Sequence, residues 1–150
     1  MDRTTFVKLY FNFCSEVGER PENVLVSAGG ALLMLGMREE TSDLDLDVRP
    51  EVYDLYKHKD NVRRNSMAEY VDYSDVISLH EMPDDIGKQE VDGVWLYSTV
   101  DLIDQKTQLH QMPDRAEGKA ARDWKDLEML HALNAQTDWV VTLPSEVKAC

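Results

Sequence analysis

The spacing of apolar residues along the chain predicts alternating helices and strands. The first such segment, residues 4–17, has apolar side chains three or four positions apart, which is the spacing of one face of an α-helix. Those side chains are Phe6, Leu9, Tyr10, Phe13 and Val17. Gly18 and Pro21 follow directly, and both residue types end helices. We therefore predict a first helix that buries one apolar stripe.

The remaining segments follow the same two periodicities. We predict further helices over residues 31–37, 51–64, 98–111 and 116–133, strands over residues 24–28, 43–49, 76–82 and 91–97, and a late edge strand or packed tail over residues 139–143. This order is typical of an α/β (α+β) protein, in which helices pack on one mixed β-sheet. A chain of 150 residues is long enough for a single domain, so we expect one domain over residues 1–150.

Acidic residues alternate with apolar ones in the predicted strand over residues 43–49. Asp43, Asp45 and Asp47 therefore lie on one face of that strand, and leucine and valine lie on the other. Like charges on one face repel each other, so a cation is expected between them. Mg²⁺ binds carboxylate oxygens and keeps positions open for water and substrate phosphates. The pattern therefore indicates a divalent-cation site.

Two glycines lie upstream of this strand. Gly29 and Gly30 follow the apolar run of residues 24–28 and precede a short apolar segment. Glycine has no Cβ, so its backbone can approach a phosphate group closely. A phosphate-binding turn between a strand and a helix is the corresponding hypothesis.

Together these residues resemble the nucleotidyltransferase superfamily, which has the polymerase-β-like fold. The glycine pair, the spacer of residues 31–42 and the acidic strand from Asp43 carry the resemblance. The Thr41-x-Asp43-Leu44-Asp45 arrangement is similar to the minimal branch that contains abortive-infection toxins. Lys106 and the Arg122-Asp123-x-x-Asp126 stretch resemble downstream elements of that branch.

The resemblance implies a site for two Mg²⁺ ions and a nucleoside triphosphate. In that family pattern Asp43 and Asp45 are the metal ligands, whereas Asp47 is not required and is expected to be solvated at the surface. A third carboxylate usually comes from a neighbouring strand. We favour Asp75 for this role over Glu81 and Asp92.

The resemblance also implies which residues hold the nucleotide. Gly29, Gly30 and Thr41 are expected to contact it, and Lys106 is expected to bind its triphosphate as a catalytic cation. An exposed helical lysine serves solubility equally well. The stretch from Arg122 to Asp126 also fits ordinary pairing between residues three and four apart on a solvated helix.

Other interpretations of the acidic strand are weaker or less specific. Its spacing begins like a calcium-binding EF-hand loop, but Val48 and Asp54 occupy the positions where glycine and glutamate are needed. A solvated acidic face on an antiparallel strand is the plain structural alternative. The basic residues within 57–64 could bind RNA or phosphate, or could simply be the solvated end of a helix.

Composition limits the classes of function. The net charge is −13, from 29 acidic and 16 basic residues, which argues against sequence-independent nucleic-acid binding. Two cysteines do not form a disulfide scaffold, and we find neither a signal-peptide pattern nor an apolar run of membrane-spanning length. A cytoplasmic protein with no membrane partner is expected.

The sequence thus predicts a Mg²⁺-dependent nucleotidyltransferase. It would transfer a nucleoside monophosphate to an acceptor hydroxyl, with RNA, especially a tRNA end, as the favoured acceptor. Protein hydroxyls and small molecules also fit, and the nucleotide base and the oligomeric state are left open. The alternative is a non-catalytic acidic binding or inhibitor protein with the same fold, which the charge of −13 favours.

Overall fold

The computed structural model describes residues 1–65, 68–111 and 117–149, with side chains described as far as residue 135. The described chain contains five α-helices: α1 (Arg3–Val17), α2 (Ala28–Met34), α3 (Pro50–Tyr56), α4 (Thr99–His110) and α5 (Glu117–Ala149). It also contains seven strands: β1 (Val24–Val26), β2 (Leu44–Val48), β3 (Val62–Arg64), β4 (Glu69–Asp72), β5 (Ile77–Glu81), β6 (Lys88–Val91) and β7 (Val94–Tyr97). A short 3₁₀ helix, Pro21–Asn23, precedes β1.

The strands form one mixed sheet, which confirms the predicted α/β class. Their order is β3-β4-β5-β2-β1-β7-β6. The central strand β2 is antiparallel to β1 and parallel to β5, and β1 is parallel to β7. The acidic strand therefore lies in the middle of the sheet, with a neighbour on each side.

One face of this sheet forms the core of residues 1–98. The side chains of Val26, Leu46, Leu79 and Leu96 are fully buried, and α1 adds the buried Phe6. A Cβ built on Gly30 in α2 would lie 2.5 Å from a Phe6 ring carbon and 2.9 Å from a Val26 methyl carbon. Helices α1 and α2 therefore pack closely on the apolar face. Burying each such side chain contributes about 1.5–3 kcal/mol.

On the opposite face of the sheet, β2 and β5 carry polar residues. Residues in register on neighbouring strands share a face, and Asp45 is opposite Ser78 while Asp47 is opposite His80. We call these four residues the acid face. Period-2 alternation in β2 and β5 thus separates an apolar core face from a face that carries carboxylates.

The chain divides into two compact units, residues 1–98 and 99–150. In the second unit α4 packs against α5, and Leu102, Leu127 and Leu130 are buried. The expectation of a single domain over residues 1–150 stays a prediction.

Several predicted elements differ from the structure. The predicted helix over residues 51–64 ends at Tyr56, because the Asn61 side chain donates to the Tyr56 carbonyl oxygen and forms a turn before β3. The predicted strand over residues 91–97 is confirmed only from Val94, where β7 begins, and residues 92–93 form the turn that joins β7 to β6. Asp92 and Gly93 both have positive φ, as a tight two-residue hairpin turn requires.

Of the two alternatives predicted for residues 139–143, the edge strand is wrong, because the backbone there belongs to α5, and the packed tail stays a prediction. A short apolar run cannot be assigned to a strand or a helix by periodicity alone.

Among the described helices, none combines the length and apolar character that crossing a bilayer requires.

Candidate functional site

The candidate site is centred on Asp45, in the middle of β2. Its side chain is half-buried on the acid face. Burial, followed by the nearby charge of Asp43, raises the pKa of Asp45 to about 6. Asp43 lies just before β2 and is exposed. The predicted pair of metal ligands therefore consists of one exposed carboxylate and one half-buried carboxylate with a raised affinity for a proton.

Asp47 lies in a different environment from the one the sequence predicts. The expectation that it is solvated at the surface is wrong, because the residue is only 5 % exposed. Its carboxylate accepts hydrogen bonds from the Tyr97 hydroxyl and from the Ser27 hydroxyl, the latter at 3.4 Å. Burial and the charge of Asp45 raise the pKa of Asp47 to about 8, although the Ser27 hydrogen bond opposes this shift.

Ser27 connects the end of β1 to the acidic strand. Its backbone N–H donates to the Asp45 carbonyl oxygen at 3.1 Å, and its hydroxyl lies 3.4 Å from the same oxygen. The next residue, Ala28, has a φ of 54°, a left-handed conformation that is strained for a residue with a Cβ. Strain of this kind is concentrated at functional sites and is held in place by its surroundings.

The two glycines of the predicted phosphate turn face different surroundings. Gly30 is buried, and its missing Cβ leaves room for Phe6 in the core. Gly29 is half-buried, and a Cβ there would lie 2.7 Å from Arg38 Nη1 and 3.0 Å from Thr41 Oγ1. Core packing therefore explains Gly30, whereas Gly29 is the glycine that lies next to polar side chains.

Thr41 lies in the loop that leads to the acidic strand. Its carbonyl oxygen accepts a hydrogen bond from the Met1 ammonium at 2.6 Å, and its N–H donates to the Met1 carbonyl oxygen at 2.9 Å. Its hydroxyl is near Gly29, as described above. The structure thus brings together two of the residues predicted to contact the nucleotide.

The three candidates for the third carboxylate lie in separate places. Asp75 is exposed in the bend before β5, next to Val76, whose carbonyl oxygen accepts from the Leu44 N–H at 2.7 Å. Asp75 is therefore at the same end of the sheet as Asp43. Glu81, in contrast, pairs with Val48 at the other end of β2, and Asp92 is in a hairpin turn, paired with Arg3.

These carboxylates do not converge on one point. Among the described residues, no group of three or more acidic, histidine or cysteine side chains is arranged to hold a metal ion. Mg²⁺, however, commonly uses only one or two protein carboxylates together with substrate phosphates. Asp43 and Asp45 supply hard oxygen donors of that kind, so the donor set fits Mg²⁺ delivered with a triphosphate.

Lys106 lies in the second unit, within a buried ion-pair cluster. Its Nζ is 3.1 Å from a carboxylate oxygen of Asp123 and 3.1 Å from one of Asp126. All three residues are buried. The sequence also allowed Asp123 and Asp126 to pair with residues three or four positions away on a solvated helix. The structure shows a different arrangement, because both acids are buried and contact a lysine on a neighbouring helix. We call Lys106, Asp123 and Asp126 the lysine cluster.

His80 on the acid face was not singled out from the sequence. Its ring stacks on Tyr70 at a centroid distance of 5.6 Å, and its Nδ1 is buried without a hydrogen-bond partner in the described part of the chain. Burial lowers the pKa of His80. The sequence signal was the alternation of Ser78 and His80 with buried Ile77 and Leu79, which assigns both polar residues to one face.

The basic cluster of residues 57–64 is largely neutralised by acids. Lys57 and Arg64 both pair with Glu69, and Arg63 pairs with Asp72. A surface of this kind offers little net positive charge to a phosphate backbone. It therefore adds little to the argument for an RNA acceptor.

Comparisons with known proteins leave the family of the chain open. No family model matches it, and no curated protein or solved structure is detectably similar to it.

Proposed function

We propose that this protein is a Mg²⁺-dependent nucleotidyltransferase with a nucleotidyltransferase-like, polymerase-β-like fold. It transfers a nucleoside monophosphate from a nucleoside triphosphate to an acceptor hydroxyl and releases pyrophosphate. A cytoplasmic, toxin-like enzyme that uses an RNA acceptor, with a tRNA end favoured, is the form of this proposal that the sequence resemblance supports. Asp43, Asp45, Asp75 and Lys106 are its proposed catalytic residues.

The observation that supports this proposal most strongly is the environment of Asp45. Asp45 is held on a central strand, and its pKa is raised because burial and then the charge of Asp43 disfavour its ionised form. A divalent cation would compensate the charge of both acids at once. The sheet fixes the backbone on either side, so the position of Asp45 is set before any ligand binds.

The roles of the residues follow from their chemistry. When bound, Mg²⁺ polarises the transferring phosphate and offsets the charge that develops on the leaving oxygens. Asp43 and Asp45 would hold it, and Gly29, in the first turn of α2, and Thr41 would lie against the nucleotide. Ser27 fixes the backbone of Asp45 through two contacts to one carbonyl oxygen.

The test is transfer of labelled nucleotide. The protein is incubated with each of the four labelled triphosphates, Mg²⁺ and total RNA, and label in RNA is separated from label in protein. Wild type should label RNA with at least one triphosphate, and Asp45→Asn should not. Asp54→Asn, which changes an exposed acid on α3, is the matched control and should label like wild type. Full transfer by Asp45→Asn would contradict the proposal.

A second function, a non-catalytic acidic binding or inhibitor protein, is favoured by the net charge of −13 and by the lack of a three-residue metal cluster in the described residues. Titration of the four triphosphates with Mg²⁺ separates the two functions. The enzyme should bind at least one of the four triphosphates. A non-catalytic acidic protein should bind none of them at millimolar concentration. It should instead bind a basic protein, with an affinity that falls as the salt concentration rises.

A further inference from the structure

The loop between α2 and β2 brings an arginine to the start of α2. Measured from the position that a Cβ on Gly29 would take, Arg38 Nη1 is 2.7 Å away and Arg38 Cζ is 3.8 Å away. Thr41 Oγ1 lies 3.0 Å from the same position. The guanidinium and the hydroxyl therefore occupy the space that a side chain at position 29 would need.

This arrangement places a permanent positive charge at the end of the sheet where the acidic strand begins. Gly29 follows the end of β1, and β2 begins opposite that end, because Val26 pairs with Leu46. Arg49, in contrast, follows the other end of β2 and pairs with Glu19. Arg38 thus shares one end of the central strands with Asp43.

A guanidinium suits the ligand that the proposed function requires at this position. A triphosphate carries several negative charges, and two carboxylates alone would repel it. Arginine stays charged at all physiological pH values and presents a planar fork that matches two phosphate oxygens. Its partial burial against Gly29 also limits its freedom before binding, so less conformational entropy is lost when a ligand is held.

We infer that Arg38 binds the phosphates of a Mg²⁺-bound nucleoside triphosphate, and that position 29 is glycine because the guanidinium needs the space. This inference rests on the proposed function and assigns the phosphate contact in the first unit to a specific residue. Thr41, beside the same glycine, lies where it can contribute its hydroxyl to the same ligand.

The first experiment is calorimetric titration of inorganic triphosphate and of ATP, each with Mg²⁺. Arg38→Gln should weaken both affinities about ten- to a hundredfold, because a charge-assisted contact is lost. Arg38→Lys should recover only part of that loss, since it keeps the charge but not the fork. Arg20→Gln is the matched control. Its side chain is 82 % exposed, and it should bind like wild type.

A second experiment tests the role of Gly29. In Gly29→Ala the new methyl group would displace the guanidinium, so triphosphate affinity should fall as it does in Arg38→Gln. The double variant should bind no more weakly than Arg38→Gln alone, because both changes remove the same contact. Thermal unfolding without ligand checks that each variant is folded.

The outcomes separate this inference from the proposed function. If wild type binds triphosphate and the folded Arg38→Gln protein binds it equally well, the inference is wrong and the proposed function stands. If wild type binds neither inorganic triphosphate nor any of the four nucleoside triphosphates, the proposed function fails and the inference fails with it. Additive losses in the double variant would overturn the link between Gly29 and Arg38.

Discussion

The acid face and the lysine cluster bury carboxylates in two different ways. In the lysine cluster, Asp123 and Asp126 share the ammonium group of Lys106. On the acid face, the described partners of the Asp47 carboxylate are two hydroxyl groups, and burial and the charge of Asp45 raise its pKa to about 8. The charge of an acid that contacts a cation is offset within the fold, whereas the buried Asp47, held by neutral donors, has a raised affinity for a proton.

This difference bears on the roles predicted for the two regions. Lys106 was expected to bind a triphosphate, and that expectation stays a prediction. Its ion pairs with two buried acids nevertheless give it a structural role that needs no ligand. The ion pairs seen among the described residues do not include Asp43 or Asp45. A cation from solution would therefore change the environment of these two acids more than that of Asp123 and Asp126.

The largest expected effect comes from removing the cation of the lysine cluster. Lys106→Met should lower the free energy of unfolding by about 3–5 kcal/mol, because two buried carboxylates lose the ammonium group that both contact. Urea denaturation measures this. Lys125→Met, an exposed lysine on the same helix as the two acids, should change stability by less than about 0.5 kcal/mol.

Adding Asp123→Asn to Lys106→Met should restore part of the lost stability, since one buried negative charge is removed. A loss below about 1 kcal/mol in Lys106→Met would show that the cluster is not a structural ion pair. Weaker triphosphate binding in a variant of unchanged stability would support the ligand role instead.

The next effect is at the metal ligand. Asp45→Asn should weaken Mg²⁺-dependent triphosphate binding about ten- to a hundredfold. It should leave stability without metal equal or higher, because the cost of burying a charge and the repulsion by Asp43 are both relieved. Calorimetry and thermal unfolding measure the two quantities. In wild type the Mg²⁺ affinity should fall as pH drops through about 6, where Asp45 takes up a proton. A variant that is destabilised and still binds Mg²⁺-triphosphate normally would contradict the assignment.

A smaller effect is expected from Asp47 and depends on pH. Its pKa in the folded protein is raised from 3.8 to about 8, so the stability that it contributes is fully present below about pH 4 and is lost as pH rises through 8. Asp47→Asn removes this titration. Between about pH 5 and pH 7.5 the variant's free energy of unfolding should therefore fall less steeply than that of wild type, by up to roughly 1 kcal/mol per pH unit.

Urea denaturation across that pH range measures the difference. Parallel curves for wild type and Asp47→Asn would show that Asp47 does not titrate in this range. Tyr97→Phe should steepen the loss of stability with pH, because it removes one hydrogen bond from the ionised carboxylate.

The smallest stability effect is expected at the candidates for the third carboxylate. Asp75→Asn should change the free energy of unfolding by less than about 0.5 kcal/mol, because the residue is exposed. The Asp75→Asn variant should bind Mg²⁺-triphosphate more weakly than the Glu81→Gln and Asp92→Asn variants do. The reason is that, of these three acids, only Asp75 lies at the same end of the sheet as Asp43. Equal binding by all three variants would remove Asp75 from the site.

Periodicity predicted those elements whose burial pattern is one-sided. Helix α1 was predicted within one residue of its observed Arg3–Val17 bounds, and the acidic strand was predicted within one residue of Leu44–Val48. Both bury one face, so their apolar residues repeat at the period of the backbone. Helix α3 was predicted too long because Asn61 forms side-chain hydrogen bonds that compete with the helix, an effect that hydrophobic spacing does not reveal.

The sequence by itself determined the mixed α/β class, the acidic strand with its apolar reverse face, and the glycine pair before it, because each depends on spacing along a few neighbouring residues. Only the tertiary structure decided that Asp47 is buried against Ser27 and Tyr97. Only it showed that Gly30 faces the core while Gly29 faces Arg38. These contacts join residues that are distant in sequence, and their burial and charge compensation arise only when the sheet has formed.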